Sequence, residues 1–152
     1  MNPVLKKFTD YIGREDRPED PEFSRWLGGV FREVKEGELV MDFRVRTDMT
    51  NPVGYLHGGA QNAIVDDVIG MTVLTLGHRQ FFMSLGLHVD YLGRCKVGET
   101  VSALGKVVRS GKNVVHAQCE LLDSQNTLIC RGTSNLMRSP FPAMPEIHRG
   151  GR

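Results

Sequence analysis

Hydrophobic positions along the chain recur with two different periods. Leu39, Met41, Phe43 and Val45 alternate with polar partners, as do Met83, Leu85, Leu87, Val89 and Tyr91 with Ser84, Gly86, His88 and Asp90. A period of two is the signature of a half-buried strand. It predicts strands over 29–35, 38–46, 83–91, 99–110, 113–123 and 127–138. Glu36-Gly37, SGKN (110–113) and DSQN (123–126) supply the turns. Between the second and third strands the pattern changes. From Gly59 to about Leu76 there is no proline, and Gly77 offers a stop. Ile64, Val68 and Met71 form one apolar stripe with Ala60 beside it, while Ile69 and Val73 lie opposite, so this helix is expected to be buried. Val4, Leu5, Phe8 and Ile12 predict a short amphipathic helix over 3–13, followed by the charged link REDRPEDPEF.

Strand–strand–helix–four strands describes an α+β domain with an antiparallel sheet wrapped on one long helix. The expected division is an N-terminal helix and linker over 1–27, the main domain over 28–138, and a loose proline-containing tail over 139–152. One helix cannot cover both faces of six strands, and a second copy of the chain is the simplest cover for the remainder.

Composition narrows the classes. With 40% apolar and 24% charged residues the chain reads as globular. A net charge of +1 gives no bulk attraction for nucleic acid or an anionic membrane. Cys95, Cys119 and Cys130 contain no CxxC pair and are odd in number, which fits reduced thiols in a cytoplasmic protein. The N-terminus lacks the apolar core of a signal peptide, and no apolar run reaches the roughly 18 residues of a spanning helix.

The chemistry concentrates in NPVGYLHGGAQNAIVDDVIG, residues 51–70. A helix starting after His57 presents free N–H groups and a partial positive charge. Gly58 and Gly59 have no side chains to keep a ligand away, which makes an oxyanion hole of their amides. Asp66 follows about two turns later; desolvated in an apolar helix, it would have a raised pKa and act as a base or a nucleophile. On pattern alone Asp66 and Asp67 both remain candidates: Asp67 falls in the Ile64–Met71 stripe, Asp66 beside Asn62, Ile69 and Val73. HGG by itself is a weak signal, and a purely structural turn competes with it.

The residues together are more specific. The chain resembles the hotdog-fold acyl-CoA thioesterases, in particular the PaaI-like and THEM2-like group, over about residues 28–138. The shared motif N-x-x-G-x-L-H-G-G stands here as NPVGYLHGG, Asn51 to Gly59; an aspartate follows nine residues after the histidine, at Asp66, and a serine eighteen residues further, at Ser84. The resemblance implies a hotdog fold and hydrolysis of an acyl- or aryl-CoA thioester with no cofactor. It implies a homodimer or homotetramer with the site at the subunit interface. By the same resemblance Asp66 would be the catalytic carboxylate and Gly58 N–H would polarise the thioester carbonyl. Asn51, from the partner subunit, would position water or substrate, and Ser84 would orient water. His57 is expected to hold the helix start, with Gly59 and Asp67 as secondary candidates. A non-catalytic acyl-CoA binding module of the same fold is the alternative.

Other signals add less. GKVVRSGK (105–112) has the outline of a phosphate loop but the wrong spacing, with Asn113 in place of Ser or Thr. Arg109 and Lys112 are candidate contacts for coenzyme A phosphates, against the reading of a solvated hairpin. By strict alternation His88 shares a strand side with Ser84 and is a candidate channel residue, against the favoured reading of a solvent-facing side chain. His57, His78, His88, His116 and His148 show no metal-ligand spacing, and no GxSxG elbow is present.

Overall fold

The computed structural model describes residues 1–144; His148 and the last part of the expected tail lie outside the described residues. Helix α1 (Pro3–Asp10) starts at Asn2, whose side-chain oxygen accepts from Leu5 N–H at 2.8 Å. The amide of the same side chain donates to the Thr75 carbonyl at 2.9 Å, tying α1 to the end of the central helix. A second short helix, α2 (Glu22–Leu27), was not expected: it lies partly in the segment read as a charged link and ends at Gly28. Its six residues are too few to show a period.

Strands β1 (Val30–Lys35), β2 (Glu38–Arg44), β3 (Gln80–Tyr91), β4 (Thr100–Ser110), β5 (Val114–Leu122) and β6 (Leu128–Pro142) form one antiparallel sheet in the order β1-β2-β4-β5-β6-β3. β6 runs to Pro142, past the point where the loose tail was expected to begin. The central helix α3 (Gly58–Leu74) packs on this sheet, so the expected hotdog architecture is present. Among the described residues no helix is long and apolar enough to cross a membrane.

Ile64, Val65, Val68, Ile69 and Thr72 of α3 are fully buried against Ala103, Ala117, Cys119 and Leu121. The helix sits close because two sheet positions lack side chains. A Cβ on Gly105 would come within 2.1 Å of Thr72 Oγ1, and one on Gly132 within 2.4 Å of Val65 Cγ1. Gly132→Ala is therefore expected to lower stability by about 1–3 kcal/mol through overpacking, measured as a fall in Tm. An unchanged Tm would mean that α3 is not seated so closely.

Burial of α3 is not uniform. Asn62, Gly70 and Leu74 are only half-buried and Asp66 is exposed, which leaves a stripe at four-residue spacing along the flank facing β3. β3 is an edge strand, hydrogen-bonded on one side to β6.

Candidate active site

The start of α3 is built by the loop before it. His57 is the N-cap: its Nδ1 accepts from Gly59 N–H at 2.8 Å, and its backbone N–H donates to the Met49 carbonyl at 2.8 Å. This bond uses the Gly59 amide. The Gly58 N–H has no acceptor among the described residues. Asn51 accepts through Oδ1 from the N–H groups of Val53 and Tyr55, both at 3.1 Å, and so shapes the loop that leads to His57. No hydrogen bond joins Asn51 to Asp66 or Ser84 among the described residues.

Three ties fix β3 along the flank of α3. Ser84 Oγ donates to Asp66 Oδ1 at 3.1 Å. Asn62 Nδ2 donates to Tyr91 Oη at 2.6 Å, and Tyr91 Oη donates to the Gly58 carbonyl at 3.3 Å. Phe82 packs near the far end, its ring 4.9 Å from that of His78. Strict alternation puts Tyr91 on the side opposite Ser84; it instead lies over the helix start, so close that a Cβ on Gly58 would come within 3.3 Å of its ring.

Two expectations about β3 need correction, and one irregularity accounts for both. The pairing slips between Ser84 and Gly86: Ser84 faces Leu136 and Gly86 faces Asn135, leaving Leu85 as the extra residue of a bulge. Past the bulge the sides exchange. His88 lies on the outer face, opposite Ser84, 76% exposed and 3.3 Å from Asp90. Tyr91, an odd number of residues from Ser84, comes to the helix side. Gly86 within a strand was the available signal, because an interior strand glycine often marks a bulge.

The desolvation expected at Asp66 falls on its neighbour. Asp66 is exposed in the single chain. Asp67 is held beneath α2, where Ser24 Oγ donates to its Oδ1 at 2.8 Å. Burial pushes its carboxyl up to about 6; the Ser24 bond and the Arg17 guanidinium oppose that rise, while Asp20 and Asp66 add to it. Arg17 is 2% exposed, 3.3 Å from Asp20 and stacked over the Phe31 ring, so the N-terminal segment forms a buried polar cluster behind α3. Nothing in the periodicity pointed to Arg17 or Ser24, because both are contributed from outside the main domain.

Asp67 therefore makes stability depend on pH. Its carboxyl titrates near 3.8 when unfolded and near 6 when folded. Between those values the folded chain binds the extra proton, so stability falls as pH rises and levels off above 6. Asp67→Asn keeps an acceptor for Ser24 and removes the charge. The variant should gain up to about 3 kcal/mol over the parent above pH 6 and nothing below pH 3.8, read as the difference in Tm across a pH series. A difference independent of pH would show that the Asp67 charge is not buried.

Arg109 and Lys112 lie at the β4–β5 turn. That end of the sheet carries Met83 and Met137, whereas Gly58 and Tyr91 lie towards the other end, so the chain does not bring these two cations to its own helix start. Arg94 instead stacks over Tyr55, its guanidinium 5.0 Å from the ring centre, beside the loop that precedes His57. Among the described residues no three His, Cys, Asp or Glu side chains cluster as metal ligands.

Comparison with known proteins agrees with the fold. The chain is 26% identical to human acyl-coenzyme A thioesterase 13 over 112 residues, 72% of this chain and 80% of that one. Its fold matches PaaI of the Escherichia coli phenylacetic acid degradation operon with a TM-score of 0.76 at 19% identity, covering 82% of this chain and 88% of that one. It also matches the hypothetical thioesterase protein of Streptococcus pneumoniae solved with coenzyme A, with a TM-score of 0.69 at 20% identity and coverage of 73% and 88%. The profile of the Thioesterase superfamily matches residues 53–130, just over half the chain, a span that holds Gly58, Asp66, Ser84 and Tyr91; this hotdog chain belongs to the thioesterase superfamily.

Proposed function

We propose that the protein hydrolyses an acyl- or aryl-CoA thioester to the free acid and coenzyme A. The observation that carries this reading is the Ser84–Asp66 pair at 3.1 Å: a carboxylate oriented by a hydroxyl, on the open flank of a helix whose N-terminal Gly58 amide is unpaired. The relatives supply the thioester. One similar curated protein is an acyl-CoA thioesterase, and one similar structure holds coenzyme A.

In this reading the thioester carbonyl oxygen accepts from Gly58 N–H, where the helix dipole favours the negative charge of the tetrahedral intermediate. Asp66 takes a proton from water as the water adds to the carbonyl carbon, with Ser84 holding the carboxylate in place. Collapse of the intermediate breaks the carbon–sulfur bond and expels the thiolate of coenzyme A, which is protonated as it leaves. Direct attack by Asp66, forming an anhydride that water then opens, uses the same residues.

Helix geometry adds a condition. Eight residues separate Gly58 from Asp66, a rise of about 12 Å at ~1.5 Å per residue. One carbonyl group cannot meet both in a single chain. The site is therefore completed by a second copy, with Gly58 and the Asn51 loop of one subunit facing Asp66 and Ser84 of the other. Thiol release from short-chain, long-chain and aryl-CoA thioesters tests the reading. Tight binding of acyl-CoA without turnover across that panel would establish the non-catalytic alternative.

A further inference from the structure

We infer that Tyr91 is a positioning residue of the proposed site: braced by Asn62, its hydroxyl holds the Gly58 carbonyl and so sets the aim of the Gly58 amide towards the thioester oxygen. The inference deepens the proposed hydrolysis and rests on it. Gly58 is the joint between two peptide groups. The group on its N-terminal side carries the N–H that has no acceptor among the described residues, and the carbonyl of that group, His57, accepts from Gln61 N–H at 2.9 Å. The group on its C-terminal side is gripped at both ends. Gly59 N–H donates to His57 Nδ1 at 2.8 Å, and Tyr91 Oη donates to the Gly58 carbonyl at 3.3 Å. Gly58 has no Cβ to restrict the two torsions between these groups, so its neighbours must hold them. The Gln61 and Gly59 bonds are local to the helix start, whereas Tyr91 reaches it from 33 residues away.

The tyrosine is itself held. Asn62 Nδ2 donates to Tyr91 Oη at 2.6 Å, so the oxygen keeps its one proton for the Gly58 carbonyl. Core packing does not account for the contact, because Tyr91 is 52% exposed in the single chain. The bulge at Leu85 gives the arrangement its logic. Ser84 and Tyr91 are seven residues apart and would face opposite sides of a regular strand. The extra residue turns both towards α3. β3 thereby carries two supports, Ser84 on the Asp66 carboxylate and Tyr91 on the Gly58 peptide. In a site shared by two copies, Ser84 of one subunit steadies the base while Tyr91 of the other steadies the amide that meets the same carbonyl. The Tyr91 bond is long for a hydroxyl donor, which sets a modest scale for its effect.

Tyr91→Phe keeps the ring and removes the hydroxyl; Asn62→Ala keeps the hydroxyl and removes its brace. With the fastest thioester of the panel, Tyr91→Phe should lower kcat about three- to tenfold, the size of one hydrogen bond, and leave KM within about twofold. Asn62→Ala should fall in the same direction by less. The double variant should be no slower than Tyr91→Phe, because Asn62 acts through that hydroxyl. Calorimetric titration separates aim from structure. The probes are S-octyl-CoA, a ground-state thioether, and a trifluoromethyl ketone analogue of matching length, whose hydrate is tetrahedral at the carbon attacked. Tyr91→Phe should weaken the ketone about three- to tenfold and leave the thioether Kd unchanged, whereas a structural role would lower Tm and weaken both. Equal weakening of the two probes, an unchanged kcat, or losses that multiply in the double variant would overturn the inference while native turnover stands. A native protein that binds both probes alike and releases no thiol would overturn hydrolysis itself, and the role of Tyr91 with it.

Discussion

Asp66→Asn is expected to lower kcat by about 10²–10⁴-fold, the range supplied by a positioned general base, with Tm almost unchanged. Asp66 is exposed and its one recorded partner is Ser84, whose hydroxyl can donate to an asparagine oxygen as well as to a carboxylate. The fold therefore loses little, and exposed substitutions of this kind usually stay within about 0.5 kcal/mol. Asp67→Ala should show the reverse pattern. It removes the same buried charge as Asp67→Asn but also strands the Ser24 hydroxyl beneath α2 and opens space beside Arg17, so it should melt below Asp67→Asn while retaining most turnover. Thiol release and a thermal melt on the purified variants separate the roles. Full activity in Asp66→Asn would remove that residue from the chemistry, and a larger kcat loss in Asp67→Ala would transfer the role to its neighbour.

The second large effect concerns the assembly. If each site takes Asp66 from one subunit and the Asn51 loop from the other, then Asp66→Asn and Asn51→Ala proteins are each nearly inactive alone. Unfolding them together and refolding the mixture places both defects in the same site of a hybrid dimer and leaves the other site intact. With random pairing, half the dimers are hybrids and each has one working site. Activity should rise from near zero to about a quarter of the native value, as two-fold symmetry requires. No recovery in a mixture shown by mass to contain hybrids would place both residues in one subunit's site. That outcome would contradict the ~12 Å separation along α3.

Much of the fold is legible in the residues because it depends on local periods. The alternation of Leu39, Met41 and Phe43 survives in β2 as buried positions separated by more exposed ones. The helix expected from Gly59 to about Leu76 is α3, Gly58–Leu74, stopped as its C-terminal residues turn towards Gly77. The turns at SGKN and DSQN fall between β4, β5 and β6. Each of these features is specified by residues within a few positions of one another.

The site was legible only in part. The family resemblance brought Ser84 to notice, and the structure puts its hydroxyl on Asp66. Alternation then misplaced His88 and overlooked Tyr91, because a single extra residue in an edge strand reverses every later side chain. The two adjacent carboxylates were indistinguishable by pattern. They differ in the structure because α2, delivered by the N-terminal segment, covers Asp67 and leaves Asp66 open.

The amino-acid sequence by itself determined the type and order of the main elements, since hydrophobic period and turn residues act over short stretches of chain. Only the tertiary structure decided which aspartate is buried and which side of β3 each residue faces past Leu85. Those properties arise from contacts between segments far apart in the chain, and burial is a property of such contacts rather than of any residue alone.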